Sequence, residues 1–107
     1  MLRRSFTAVL EKNAVFDGDF ATEPYEVGWA SEARFFVRVR ELSEGARLLC
    51  RPQISPDGLF WCDEGAEGVS IAAPGLYSFA VREFGNWLRL DCPLDGRAKL
   101  LIYLALK

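Results

Sequence analysis

Two carboxylates near residue 18 have a spacing that could bind a cation. Asp17 and Asp19 enclose Gly18, as at the start of a calcium-binding loop. That pattern needs a glutamate at its twelfth position, and Gly28 stands there. We therefore predict an ordinary surface turn and no metal site; Asp17 and Asp19 are the candidates that a calcium ion would use. No cofactor is predicted.

Catalytic side chains are scarce in this sequence. It contains no histidine, the residue that most often serves as general base and metal ligand. Ser55, Ser70 and Ser78 have neither a histidine partner nor the G-x-S-x-G setting of a nucleophile. We predict no catalytic residue and a protein that is not an enzyme.

An aromatic residue beside carboxylates gives an alternative function. Trp61 and Asp63 could bind a carbohydrate, the ring by stacking and the carboxylate by hydrogen bonding. Asp63 also begins an acidic loop with Glu64 and Glu67, and the glycines at 65 and 68 predict that this loop is solvated. Under this alternative, the glycan lies in loops at one end of the fold.

A row of arginines interleaved with an aromatic residue is the main candidate for a binding surface. Alternation along residues 33–41 places Arg34, Phe36, Arg38 and Arg40 on one face of a strand. Such a row could hold a nucleic acid. It could equally pair with acidic residues on a neighbouring strand, or form half of a subunit interface, where arginine and aromatic residues are enriched. The net charge of −2 argues against nucleic acid.

Trp87 is expected to lie partly exposed, because it alternates with Leu88 and Leu90. An exposed tryptophan on a sheet usually contacts a partner. We therefore predict a protein interface made by Phe36, Arg38, Arg40 and Trp87.

The three cysteines, Cys50, Cys62 and Cys92, form no C-x-x-C motif. Cys50 and Cys92 are in phase with apolar residues, which predicts buried free thiols. One disulfide is also possible, and Cys62 is the thiol expected to be most exposed.

Short segments of alternating apolar and polar residues set the fold class. The clearest lie at residues 5–12, 33–41, 46–54, 87–92 and 98–106. About eight such segments, with no helical pattern, predict an all-β fold: an antiparallel two-sheet β-sandwich of jelly-roll type. Residues 1–107 are expected to form a single domain.

Two prolines help to place these strands. The sequence Ser55-Pro56-Asp57-Gly58 is typical of a type I turn, and Leu59 to Cys62 is predicted to be the return strand. Pro52 has no N–H to donate to a neighbouring strand, which predicts a sheet edge or a bulge there.

The sequence resembles two groups of proteins. Residues 53–61 and 84–90 are similar to the turn and strand motifs of discoidin-like, galactose-binding-like jelly rolls. The same segments, together with Gly75-Leu76-Tyr77, resemble small β-sandwich proteins of phage and prophage structural modules. The similarity covers residues 33–107, and the phage-type resemblance implies a structural role with self-assembly.

These observations predict a structural or accessory protein whose partner is another protein, most simply a second copy of itself. No nucleic-acid or membrane partner is predicted, since no run approaches the roughly 20 apolar residues of a membrane span. The apolar stretch 6–10 ends at Glu11 and Lys12 and is too short for a signal peptide. The expected location is cytoplasmic or virion-associated.

Overall fold

The computed structural model describes residues 5–65 and 68–107, and every regular element within them is a β-strand. The predictions that concern residues 1–4 and Glu67 lie outside the described residues. The strands are β1 (Phe6–Asp17), β2 (Phe20–Ala21), β3 (Tyr25–Glu26), β4 (Ala33–Leu42), β5 (Arg47–Ser55), β6 (Cys62–Asp63), β7 (Val69–Ile71), β8 (Gly75–Val81), β9 (Trp87–Cys92), β10 (Leu94–Asp95) and β11 (Arg97–Leu106). No helix capable of crossing a membrane occurs in this described part of the chain.

Two antiparallel sheets pack face to face, which confirms the predicted all-β sandwich. The first sheet has the order β1-β11-β4-β8. In the second sheet, β9 lies between β5 and the short strands β2 and β3, and the other edge of β5 pairs with β6 and β7.

The fold is a jelly roll when short strands that lie in line with one another are counted as one strand. Strands β2 and β3 both extend along β9, and β6 and β7 both extend along β5. Strand β10 continues the pairing of β9 with β5 past Pro93. The eight combined strands follow the order first–eighth–third–sixth in one sheet and second–seventh–fourth–fifth in the other, the arrangement of two interlocked Greek keys. The predicted number of about eight matches this combined count, whereas eleven separate strands are present in the described residues.

The core lies between the sheets, on the faces that alternation predicted. Phe35 and Val37 of β4 are fully buried, and so are Leu88 and Leu90 of β9. Strand β11 contributes the largest set of fully buried side chains: Leu100, Ile102, Leu104 and Leu106. Strand β11 is also one of the two inner strands of the first sheet, the other being β4.

Strand β1 is longer than residues 5–12, the predicted range. It continues to Asp17 along β11, with register shifts between Val9 and Glu11 and between Glu11 and Ala14. Asn13 has a positive φ of 51° at the second shift. These bulges let the strand resume after a polar segment that interrupts its alternation.

Pro52 lies neither in an edge strand nor at a register shift of the pairing between β5 and β9, so the prediction of an edge or a bulge was wrong. Strand β5 pairs with β9 on one side and with β6 and β7 on the other. The carbonyl of Pro52 accepts a hydrogen bond from Glu64 N, and within a strand the N and C=O of one residue point to the same side. The proline nitrogen therefore faces the gap between β6 and β7, where no neighbouring strand requires a hydrogen bond from the backbone N–H of this position.

The turn after β5 is fixed by side-chain oxygens. Ser55 Oγ accepts hydrogen bonds from Gly58 N at 2.8 Å and from Asp57 N at 3.2 Å. Asp57 Oδ1 accepts from Leu59 N at 2.9 Å and from Phe60 N at 3.1 Å. Gly58 has a φ of +79°, a conformation that glycine adopts without strain. The turn thus holds residues 59 and 60 in a fixed position.

Asp57 is expected to make stability depend on pH. Hydrogen bonds from Leu59 N and then Phe60 N lower the pKa of its carboxyl from the ordinary value of 3.8. A lowered carboxyl pKa stabilises the fold above the unfolded-state value, and this contribution is lost as the pH falls through the folded-state pKa. Asp57→Asn keeps the acceptor oxygen without the charge. We measure the free energy of unfolding in urea from neutral pH to about pH 2. The wild type should be more stable than Asp57→Asn at neutral pH, and this difference should disappear at the acidic end. An advantage that does not change with pH would contradict this role.

Candidate interaction surfaces

The outward side chains of the first sheet form a continuous surface, which we call the first-sheet face. Its central row runs across all four strands in register, through Val9, Tyr103, Phe36 and Ser78. The neighbouring row contains Leu101, Arg38 and Leu76. Three of the four predicted interface residues, namely Phe36, Arg38 and Arg40, are therefore brought together on this face.

The arginines of the first-sheet face differ in their local partners. Arg34 donates to Ser78 Oγ at 3.0 Å, and Arg40 donates to Asn13 Oδ1 at 3.3 Å. Arg38 is exposed and lies between them on β4. It makes no hydrogen bond or ion pair with any residue that the structure describes. Its guanidinium is therefore available to a partner.

Apolar side chains lie on the first-sheet face near Arg38. Leu76 on β8 is 66% exposed and Val9 on β1 is 53% exposed, while Phe36 and Tyr103 between them are half-buried. Lys99 and Glu41 oppose each other in the register at one end. The three arginines therefore leave this partly apolar face with an excess of positive charge.

An open groove of about 660 Å³ lies at the other end of this face. Arg34 and Phe36 line it, with Arg82 and Lys107, and so do the acidic residues Glu32 and Glu83. Because both signs of charge occur in the groove, it does not favour one class of charged small molecule.

Trp87 belongs to the other side of the molecule. It lies on β9 in the second sheet, on the side opposite the buried Leu88 and Leu90. Its indole lies against Gly58, where an added Cβ would approach ring atoms to 3.2 Å. Trp87 thus packs on the turn after β5 and does not join Phe36, Arg38 and Arg40 in one surface.

Trp61 and Asp63 are brought together on the outer surface of the second sheet. The Arg89 guanidinium lies 4.4 Å from the centre of the Trp61 ring. Gln53 accepts a hydrogen bond from Arg89 Nε at 2.9 Å and donates one to Asp63 Oδ1 at 3.2 Å. We call these four residues, Gln53, Trp61, Asp63 and Arg89, the Trp61 cluster.

The sequence predictions missed Arg89 and Gln53, although the signal was present. Arg89 follows Trp87 by two residues, so it shares the outward phase of that side chain. Its proximity to Gln53 required the pairing of β5 with β9, which places Gln53 opposite Arg89.

A second exposed apolar site lies in residues 56–61, which we call the tip loop. Leu59 is 76% exposed and Phe60 is 77% exposed. The exposed carboxylates of Asp57 and Asp63 lie on either side in the sequence, and Glu64 follows. The predicted strand at residues 59–62 is wrong for residues 59–61, since the strand begins at Cys62 and ends at Asp63. The tip loop is thus an apolar projection with acidic neighbours.

The two calcium candidates have structural contacts instead. Asp19 Oδ1 accepts a hydrogen bond from Leu94 N at 2.8 Å, and Asp17 pairs in register with Arg97. Within residues 5–65 and 68–107, no group of three or more histidine, cysteine, aspartate or glutamate side chains could hold a metal ion.

No protein-family model matches this sequence, and no curated protein matches it either. Among solved structures, a chain of "Structure of infectious bursal disease virus Gx strain" matches with a TM-score of 0.64 and 9% sequence identity. The match covers 96% of this chain and 32% of the viral chain, so this protein spans about a third of that chain. At this identity the similarity shows the fold alone.

A second match is to "Crystal structure of dimeric latent PorU from Porphyromonas gingivalis", with 16% identity over 96% of this chain and 10% of that one. Its TM-score of 0.33 is too low to support any inference. The resemblance to discoidin-like jelly rolls gains no support from these two matches and stays a prediction.

Proposed function

We propose that this protein is a non-enzymatic structural subunit that assembles with copies of itself through the first-sheet face. The observation that carries this proposal is Arg38, an exposed cation that has no hydrogen-bond or ion-pair partner among the described residues and lies beside the exposed Leu76 and the half-buried Phe36. Arginine within an apolar surface is characteristic of the energetically important centre of protein interfaces.

Charge determines which surface the first-sheet face would contact. Two first-sheet faces brought together would oppose their arginines, and like-charge contacts across an interface are unfavourable. The tip loop has the complementary composition, because Leu59 and Phe60 project beside Asp57 and Asp63. We therefore assign the contact to the tip loop of one copy and the first-sheet face of another.

A contact between two different surfaces of the same protein is heterologous. After one contact, one copy still has an unused first-sheet face and the other an unused tip loop, so assembly continues into a ring or a filament. A structural role agrees with the occurrence of the same fold in a chain of a virus structure, and on this proposal the protein is associated with a virion.

Sedimentation velocity over a wide range of protein concentrations tests self-association. We expect the mean mass to rise with concentration and this rise to weaken between about 0.1 M and 1 M salt, since the Debye length falls from about 10 Å to 3 Å. A strict monomer at every concentration in low salt would overturn the proposal. Association that is insensitive to salt would contradict the assigned charged contact.

The Trp61 cluster supports carbohydrate binding as a second candidate function. An indole ring beside the hydrogen-bonding groups of Gln53, Asp63 and Arg89 has the composition of a sugar site. A glycan array probed with the wild type and with Trp61→Ala tests it. Binding that Trp61→Ala abolishes would support this function, and an array without hits would remove it.

A further inference from the structure

The two buried cysteines face each other across adjacent strands. The pairing of β5 with β9 includes Arg51 opposite Asp91, and the same register continues to Leu48 opposite Leu94. Cys50 and Cys92 lie between these pairs and are therefore directly opposite. Both are fully buried free thiols.

The hydrogen-bonding pattern shows which kind of pair they form. The N–H and C=O of Leu90 bond to Thr22, on the side away from β5, so Pro52 and Leu90 form a non-hydrogen-bonded pair. Hydrogen-bonded and non-hydrogen-bonded pairs alternate along antiparallel strands. Leu49 and Pro93 accordingly form a hydrogen-bonded pair, in which Leu49 N donates to Pro93 O at 2.9 Å. Cys50 and Cys92, two residues from Pro52 and Leu90, are thus also a non-hydrogen-bonded pair.

The spacing of Cys50 and Cys92 in such a pair permits a disulfide bond. In a non-hydrogen-bonded pair the Cα atoms are about 4.5 Å apart, which lies within the 4.4–6.8 Å range of disulfides. The proximity of the two side chains agrees with the pKa of Cys92, which is raised by hydrogen bonding to the Cys50 side chain and then by burial. We propose that Cys50 and Cys92 are the site of an intramolecular disulfide that joins β5 to β9 inside the second sheet.

Cys62 is excluded from this bond in the folded protein. It lies opposite Ile54 on β5, four residues along that strand from Cys50, or about 13 Å at the rise of a strand. Its exposed thiol can instead react with other molecules.

The oxidant is a small disulfide such as oxidised glutathione, acting as the chain folds. One cysteine thiolate attacks the glutathione disulfide, forms a mixed disulfide and releases one glutathione thiolate. The second cysteine attacks the cysteine sulfur of the mixed disulfide and releases the second glutathione. The two thiol protons pass to solvent or to the released thiolates, and glutathione gains the two electrons. In the native state the raised pKa of Cys92 slows this exchange, because the thiolate is the nucleophile.

Oxidative refolding of a Cys62→Ser chain tests the proposal. After refolding in a glutathione redox buffer, we expect a peptide map that links Cys50 to Cys92, no thiol that titrates in denaturant, and a native circular dichroism spectrum. The loop closed by the bond is long, so the melting temperature should exceed that of the reduced chain by roughly 10 °C.

Cys50→Ala in the Cys62→Ser background is the matched control, and its melting temperature should not depend on the oxidant. If this control fails to fold, comparison of the oxidised and reduced Cys62→Ser chains is sufficient. Two titratable thiols in the refolded native chain would overturn the proposal, as would an oxidised chain that melts at or below the temperature of the reduced one.

Discussion

Removal of residues 97–107 is expected to leave the rest of the chain unfolded. These residues form β11, which pairs with β1 on one side and with β4 on the other, so its loss divides the first sheet. It also removes four fully buried apolar side chains, those of Leu100, Ile102, Leu104 and Leu106. At about 1.5–3 kcal/mol for each buried side chain, the loss is comparable with the 5–15 kcal/mol that stabilises a whole domain.

Circular dichroism and thermal melting of the truncated chain provide the measurement. We expect no cooperative transition, whereas Lys107→Ala should melt like the wild type, because Lys107 contacts the loop at Ser31 and Glu32 through its backbone N and O. Leu104→Ala should be folded but less stable by about 2–5 kcal/mol. A truncated chain that still melts cooperatively near the wild-type temperature would contradict the central role of β11.

The alternation of apolar and polar residues predicted the strands that have one buried and one exposed face. It was less accurate for segments without such a difference. Strand β9 has the predicted boundaries, and β4 and β11 differ from them by one residue at an end. These strands have one face in the core, so apolar and polar residues must alternate. Residues 59 and 60 are apolar but exposed, and for this reason the prediction extended a strand through the tip loop.

The surfaces were predictable only in part, because a sequence pattern assigns a side chain to a face but not to a sheet. Arg38 and Phe36 were placed on the outward face of one strand, as the structure has them. Trp87 was placed outward as well, but the pairing of β9 with β5 puts it in the other sheet. Such pairings join residues that are distant in the sequence, and alternation within a strand carries no information about them.

Cys50 and Cys92 also show that alternation within a strand does not identify the partner of a residue on another strand. Their apolar phase predicted burial, which is confirmed, while the possibility of one disulfide did not identify the pair. The register of β5 with β9 and β10 supplies that missing information.

Charge reversal by Arg38→Glu is expected to weaken self-association at least tenfold, which corresponds to about 1.4 kcal/mol. The substitution replaces the cation of the first-sheet face that lacks a partner among the described residues with a carboxylate, which would repel Asp57 of the tip loop and Asp63 beside it. Arg47→Glu makes the same charge change at an exposed position of the second sheet and should associate like the wild type. Equal weakening by both variants would indicate a general effect of net charge and contradict a specific contact.

Mixing two variants distinguishes a heterologous contact from a symmetric one. Phe60→Ser removes the apolar end of the tip loop, where Phe60 is 77% exposed, so this variant alone should also associate weakly. Arg38→Glu retains an intact tip loop and Phe60→Ser retains an intact first-sheet face, so one good contact can form between them. We therefore expect an equimolar mixture to form a one-to-one complex that grows no further, measured by sedimentation velocity. If the mixture remains as monomeric as the separate variants, the tip loop and the first-sheet face do not bind each other.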